Sequence, residues 1–255
     1  MKIQEIESLV NLHKTLSEGV IDYPKYAYYA ITHHSTSIEG STLTETQVIN
    51  LLEYDKPAPN KPFDHHRMAY DHYQALKFAV DMAQKKLLLS PLLIRQIGAK
   101  VMYSTGGFVN TAIGTYNIAN ADFRLGSVRA GTRSFPDYKK VPLLVDTLCE
   151  DVNKKLTTVQ SFEEKCNLAF KVHFDFVSIH PFGDGNGRTS RLLSNYVQTY
   201  LDLPLSIVFH QDRIRYINAL EAARKQGNIS PFLAFMYQQY AKFLKKEIRA
   251  MQKTN

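Results

Sequence analysis

A chain of 255 residues and 29.1 kDa, 44% hydrophobic and 22% charged, has the balance of an ordinary globular protein with enough apolar material for one sizeable core. That excludes disorder and fibrous or low-complexity architecture. No apolar run approaches the ~20 residues that cross a bilayer, and residues 1–7 lack the apolar centre of a signal peptide, so a cytoplasmic location is expected. The formal charge of +7 and pI near 9.2 favour an anionic partner without choosing one.

In chain order, helical periodicity covers 3–18, 24–39, 44–54 and 63–88. Ser90-Pro91 then places a capping hydroxyl before a first-turn proline, and Leu93, Ile97 and Val101 follow on one face. Over 104–136 the glycines 106, 107, 114, 126 and 131 break any helical pattern. Within that stretch, 123–133 reads as two short extended segments around a turn, closed by Phe135-Pro136: a hairpin on a helical body, or a plain surface loop. The unpaired edges of such a hairpin can accept an extended peptide. Helical patterns resume over 138–155, 162–178, 186–202 and 211–226. A last helix starts at Ser230-Pro231, with Phe232, Phe235, Met236 and Phe243 on one face. No repeat or linker separates domains.

Several features read as structural. Lys242, Lys245, Lys246, Arg249 and Lys253 alternate with Phe243, Leu244 and Ile248 as the solvated face of the last helix, so neither nucleic acid nor membrane is expected as a partner. Cys149 and Cys166 read as buried thiols. Tyr23, Tyr26, Tyr28 and Tyr29 read as core packing of their helix, and His173 as a hydrogen-bonded residue of an apolar helix. The pairs His33-His34 and His65-His66 are not expected to hold a metal, because adjacent positions point to different helix faces.

The chemistry is concentrated in 179–191, Ile-His-Pro-Phe-Gly-Asp-Gly-Asn-Gly-Arg-Thr-Ser-Arg, between two apolar helices. Gly185, Asn186 and Gly187 can turn tightly and leave bare N–H groups at the start of the next helix, an arrangement that binds anions. Arg188 and Arg191, three residues apart on one face, add two guanidinium forks suited to a polyphosphate. A lone carboxylate beside phosphates is repelled unless a cation intervenes, which makes Asp184 a candidate ligand for Mg²⁺. His180, with a reference pKa near ~6.5, is a candidate general base, and Phe182 a buried anchor. Singly, a loop histidine, a capping aspartate and surface arginines explain these residues. Together they amount to eight fixed residue types and one two-way choice, a chance match on the order of 10⁻¹¹ per start.

Residues 180–191 match at every specified position the signature His-Pro-Phe-x-(Asp/Glu)-Gly-Asn-Gly-Arg-x-x-Arg, and the chain thereby resembles the Fic-domain proteins (filamentation induced by cAMP). The resemblance implies an all-α, Fic-type helical bundle with a β-hairpin flap over the active site. It also implies transfer of AMP from Mg²⁺-bound ATP to a Ser, Thr or Tyr hydroxyl of a target protein. His180 would deprotonate that hydroxyl and Asp184 would hold Mg²⁺. Gly185, Asn186 and Gly187 would form the anion hole, and Arg188 and Arg191 would bind phosphates, Arg191 the terminal one. Phe123-Arg124, Val128 and Phe135-Pro136 resemble the family's flap, placed at about 122–136, with Ser127, Val128 and Arg129 as the docking segment for the target. Gln211-Asp212-Arg213, Tyr216 and Leu220-Glu221 resemble the segment lining the base pocket; Tyr216 is a candidate there, or an aromatic of the core. Arg224 falls where relatives often carry an adenine-reading Asn, which leaves base specificity open.

Upstream, Ser35-Thr36-Ser37-Ile38-Glu39-Gly40 resembles the family's inhibitory motif, (Ser/Thr)-x-x-x-Glu-(Gly/Asn), in members whose inhibitory helix precedes the core. Ser35 and Glu39 share a helix face, and a glutamate paired with Arg191 would take the place of the terminal phosphate. The expected organisation is an N-terminal helical segment over 1–60 carrying the inhibitory helix, and a Fic core over 61–255. The expected activity is autoinhibited protein adenylyl transfer, with a second copy of the chain kept as a candidate partner. The rivals are other chemistry on the same site (a different nucleotide, phosphocholine, or AMP removal) and a non-catalytic nucleotide-binding module.

Overall fold

The computed structural model of the protein describes residues 2–20, 23–130 and 133–254. Ten α-helices among the described residues carry the fold: α1 (Ile3–Ser17), α2 (Tyr23–Ile38), α3 (Glu45–Tyr54), α4 (Phe63–Gln84), α5 (Pro91–Val101), α6 (Val141–Leu156), α7 (Phe162–Ile179), α8 (Asn186–Tyr200), α9 (Arg213–Gln226) and α10 (Ser230–Thr254). No helix is long and apolar enough to cross a membrane among the described residues.

Local chemistry sets most helix starts. Ser90 accepts from Leu93 N at 3.1 Å, with Pro91 in the first turn. Thr44 with Gln47, and Ser161 with Glu164, form reciprocal capping boxes. The start at Ser230 differs from expectation. Ser230 is the first helical residue, and its N–H and hydroxyl both donate to Asn228 Oδ1, so Asn228 supplies the side-chain acceptor.

Helix α8 lies at the centre, packed on α7, α4 and α5 and touched by α2. Almost every residue of α8 is buried, polar ones included. One apolar cluster surrounds it, running from Ile6 and Val10 of α1 through Phe170 and Phe176 of α7 to Phe232, Tyr240 and Phe243 of α10. The lysines of α10 lie on its exposed side. Cys149 and Cys166 are free and buried, and burial pushes the Cys149 thiol up to about 12. Of the tyrosine run, Tyr29 is buried and bonds Glu53, whereas Tyr26 is exposed.

Two antiparallel hairpins interrupt the helices. The first, β1 (Phe108–Thr111) with β2 (Gly114–Asn117), pairs Val109 with Tyr116 and Thr111 with Gly114, and lies in a stretch expected only to be non-helical. The second, β3 (Arg129–Ala130) with β4 (Arg133–Ser134), falls inside the expected flap but is shorter than 123–133. Its turn, Gly131-Thr132, lies outside the described residues. The expected first extended segment is engaged elsewhere: Phe123 bridges Phe182, and Arg124 N donates to Pro181 O at 3.0 Å. A 3₁₀ turn over Ile118–Asn120 also falls within 104–136.

Phe182, 1% exposed, ties this region to the core by packing on Phe176 and Phe123. Phe182→Ala is expected to lower unfolding stability by about 3–5 kcal/mol, read as a fall in the urea midpoint with little change in slope; a change under ~1 kcal/mol would show that Phe182 is no anchor.

Candidate functional site

The loop between α7 and α8 is shaped by two left-handed residues. His180 caps α7 at φ +53°, donating its N–H to Phe176 O at 3.0 Å. Gly185 precedes α8 at φ +79°, a conformation that suits a residue without a Cβ. Holding a histidine there costs strain that the surroundings must offset. Arg124 does much of this: 1% exposed, it donates to the carbonyls of His180 (2.8 Å), Gly126 (2.6 Å) and Pro136 (2.5 Å). One side chain thus ties the loop between α7 and α8 to both arms of the expected flap, and the His180 ring stacks on Phe135 at 3.9 Å between centroids.

Helix α8 opens with the N–H groups of Asn186, Gly187 and Arg188, which helical geometry leaves without intrahelical acceptors. The Asn186 side chain has a different task from its backbone. It accepts from Phe182 N and donates to Phe182 O, both at 2.9 Å, stapling the loop shut. Asp184 accepts from Gly185 N at 2.5 Å and keeps 63% of its side chain in solvent, 3.5 Å from Arg188. Arg188 is buried, donates to Met102 Sδ at 3.0 Å, and leaves Nε and Nη1 without hydrogen-bond partners. Buried guanidinium nitrogens without acceptors are costly, and an anion would satisfy them.

Arg191 reaches the other way, into α2. It donates from Nε to Ser35 Oγ at 2.9 Å, and from Nη2 to Ser35 O at 2.9 Å and Glu39 Oε1 at 2.7 Å. The Glu39 carboxylate presses on the start of α8, where a methyl group on Gly187 would collide with Oε1. Burial raises the pKa of Glu39, but Arg191, helped by Arg188 and Arg213, wins and holds it below the usual carboxylate value. The residues of the inhibitory motif and of the loop therefore meet at one place, where a side-chain carboxylate sits in an anion seat.

Other expected residues lie further off. Tyr216 is 2% exposed; its hydroxyl meets His173 Nε2 at 2.8 Å and its ring packs on Phe232 and Phe235. Burial pushes its phenol up. Arg224 bonds Ser178 Oγ at 3.2 Å and Glu221 at 2.9 Å, and its Nη2 is buried without a partner. Ser127 is exposed and Val128 half-buried, with Val128 O accepting from Phe135 N at 3.4 Å; the side chain of Arg129 lies outside the described residues.

Sequence reasoning placed Arg213 in the segment resembling the base-pocket lining and did not foresee that its Nε donates to Ile38 O at 2.8 Å and clasps the C-terminal end of α2. It also set aside His33 and His34, yet both gather with His210. Burial pushes His33 down and His34 down to about 2. His65 and His66 have separate tasks, accepting from Thr42 N at 3.1 Å and Ala58 N at 3.0 Å.

A helical domain built round a buried central helix, with a glycine-opened and arginine-lined start, is the architecture of one family. The chain belongs to the Fic/DOC family, whose model matches residues 88–198. It is 31% identical over 230 residues to protein adenylyltransferase Fic of Drosophila persimilis, covering 90% of this chain and 42% of the relative. The chain thus spans about two fifths of the length of such relatives. A Fic-domain signaling protein from Bacteroides thetaiotaomicron has the same fold, with a TM-score of 0.77, 22% identity, and 97% of each chain covered. So does Fic-1 (residues 134–508) from Caenorhabditis elegans, with a TM-score of 0.81, 22% identity, and 98% of this chain and 72% of that chain covered.

Because the folded value of Glu39 is depressed, its pairing stabilises the fold above the ordinary carboxylate pKa and is lost as pH falls through the lower folded value. Glu39→Gln is expected to cost about 1 kcal/mol at pH 7, a charged hydrogen bond discounted for solvent exposure. The gap from wild type should shrink toward pH 3; urea midpoints at the two pH values check this, and a gap independent of pH would refute the ion pair's contribution.

Proposed function

We propose that this protein is an adenylyltransferase that moves AMP from Mg²⁺-bound ATP to a hydroxyl side chain of a target protein, and that Glu39 holds it in a resting state. The observation that carries the reading is the Glu39 carboxylate at the start of α8, hydrogen-bonded to Arg191 at 2.7 Å: a protein group stands where an anionic substrate would be held. Homology to proteins named protein adenylyltransferase Fic supports the same conclusion.

The chain's own residues divide the work. The N–H groups of 186–188 and the guanidinium of Arg188 hold phosphate oxygens, and Arg191 takes the terminal phosphate once Glu39 withdraws. Asp184 fits a hydrated Mg²⁺, since most of its carboxylate is in solvent beside the phosphate seat. When bound, Mg²⁺ neutralises phosphate charge. The imidazole of His180 accepts the proton of the target hydroxyl as its oxygen bonds to the α-phosphorus. The bond from that phosphorus to the bridging oxygen breaks, and pyrophosphate leaves. The exposed segment at Ser127 and the β3–β4 edges would hold the target mainly through backbone contacts.

Arg224 favours a second reading on the same site, a donor nucleotide other than ATP. Its guanidinium, half-held by Ser178 and Glu221, offers donors where an adenine-reading amide is expected. Presenting labelled ATP, GTP, CTP and UTP separately distinguishes the two.

Glu39→Gly is expected to raise transfer of labelled AMP to self or lysate proteins on the order of 10²-fold, because the phosphate regains its productive pose; no gain would refute the resting-state role. In that background, His180→Ala is expected to lower transfer by roughly 10²–10⁴-fold while sparing nucleotide binding by calorimetry. Full residual activity would show that another group takes the proton.

A further inference from the structure

Away from the phosphate seat, on the opposite side of α2, three imidazoles converge. His33 and His34 come from α2 and His210 from the 3₁₀ turn that precedes α9, and one ring nitrogen of each lies within 4.8 Å of the other two. His34 Nδ1 and His210 Nδ1 are 2.9 Å apart. The rings of His33 and His34 have centroids 4.9 Å apart, and those of His33 and His210 5.0 Å. His33 and His34 are buried and His210 is half-buried, so the cluster has dry walls and one wet side.

We propose that His33, His34 and His210 form a binding site for one divalent transition-metal ion of the zinc class, which joins helix α2 to the turn before α9.

Ligand geometry carries the argument. A tetrahedral ion with metal–nitrogen bonds of ~2.0–2.1 Å holds its ligand atoms roughly 3.3 Å apart. The observed spacing brackets that value, so small ring rotations complete three corners, and the half-buried side at His210 leaves the fourth corner to water. Protein hydrogen bonds satisfy these rings only in part. His34 Nδ1 faces His210 Nδ1 and accepts weakly from His210 N at 3.4 Å, while the buried Nε2 of His34 has no partner. His33 Nδ1 meets Ser37 Oγ at 3.4 Å, and the ring also bonds the backbone of Leu43. The buried His34 ring, with one nitrogen unpartnered, is the least satisfied of the three, and a buried nitrogen without a partner is unusual.

The charges facing the cluster come from two elements. Glu45 of α3 faces His33, and Lys242 and Lys246 of α10 face His34. Both lysines are already paired, Lys242 with Asp212 at 2.7 Å and Lys246 with Glu45 at 3.4 Å, which limits their opposition to a dication. Imidazole donors select zinc, copper, nickel or cobalt over magnesium or calcium, so the ion differs in class from one held by Asp184.

The position gives the ion a consequence. His34 directly precedes Ser35, and Glu39 lies one further turn along the same helix. Fixing α2 to the turn before α9 therefore strengthens the seating of Ser35 and Glu39 on Arg191. Only this consequence rests on the proposed resting state; the metal site stands apart from the catalytic reading.

The test uses the full chain, stripped with chelator and then titrated with zinc chloride in the absence of nucleotide. One equivalent is expected to bind, with a rise in melting temperature. Cobalt(II) in its place should give the intense visible bands of a tetrahedral nitrogen site. His210→Ala, at the half-buried corner, and His33→Ala should each weaken zinc binding at least tenfold, while Asp184→Ala should leave it unchanged. Absence of binding at micromolar zinc, or equal binding by wild type and both histidine variants, overturns the site. Hydrogen exchange of the α2 amides should slow on zinc addition; binding without such slowing overturns the bridging role. None of these readouts depends on AMP transfer, so failure of the metal site and failure of the adenylyltransferase reading are told apart.

Discussion

Two guanidinium groups buried at the start of the central helix set the terms for the rest of the molecule. Arg188 and Arg191 lie among the residues of α8 that the core encloses, and the dipole and open amides of that helix add further positive potential. Buried charge of one sign is tolerated only when a counter-charge or acceptor is supplied. Glu39, Ser35 and Asp184 supply part of it, and two nitrogens of Arg188 still go without. The docking of α2 is therefore electrostatic as well as a packing event. Any ligand that displaces Glu39 must bring equivalent negative charge, which is a demand a polyphosphate meets.

The flap and the loop share a similar dependency. Arg124 spends its whole donor fork on three backbone carbonyls, one in the loop and two in the flap arms. Phe135 covers the His180 ring, and Phe123 pairs with Phe182. Movement of the flap base is thereby coupled to the imidazole that would take the proton. On the proposed adenylyltransferase reading, a target strand added to the β3–β4 edges would meet a site whose base is already registered to that edge.

Much of this was legible from residues. The spacing of apolar positions located the helices, and Ser90 marked a start by chemistry that the structure repeats. The run 180–191 announced itself because turn residues, cations and a carboxylate occur there at one spacing. What escaped had more than one cause. The β1–β2 hairpin has only four residues per strand and lies amid glycines, so no alternation built up. Asn186 carries a side chain suited to an anion hole, yet a neighbouring backbone claims it. Arg213 meets Ile38 across 175 positions, and no local pattern foretells such a clasp.

The histidines show why face arguments have limits. Adjacent residues of a helix diverge by about 100°, which rightly denies a two-residue metal box on a flat surface. It does not deny convergence on a third side chain brought in by another element, and His210 stands where the rings of both His33 and His34 reach it. The same turn continues into Arg213, which grips the end of α2 at Ile38. Helix α2 is thus held at its C-terminal half on two sides: by Arg191 from the central helix, and by His210 and Arg213 from one short segment. Withdrawal of Glu39 alone asks only for a side-chain rotation, whereas withdrawal of the helix must break all these contacts together. The smaller motion is the cheaper one, and it leaves Ser35 in place to keep Arg191 oriented.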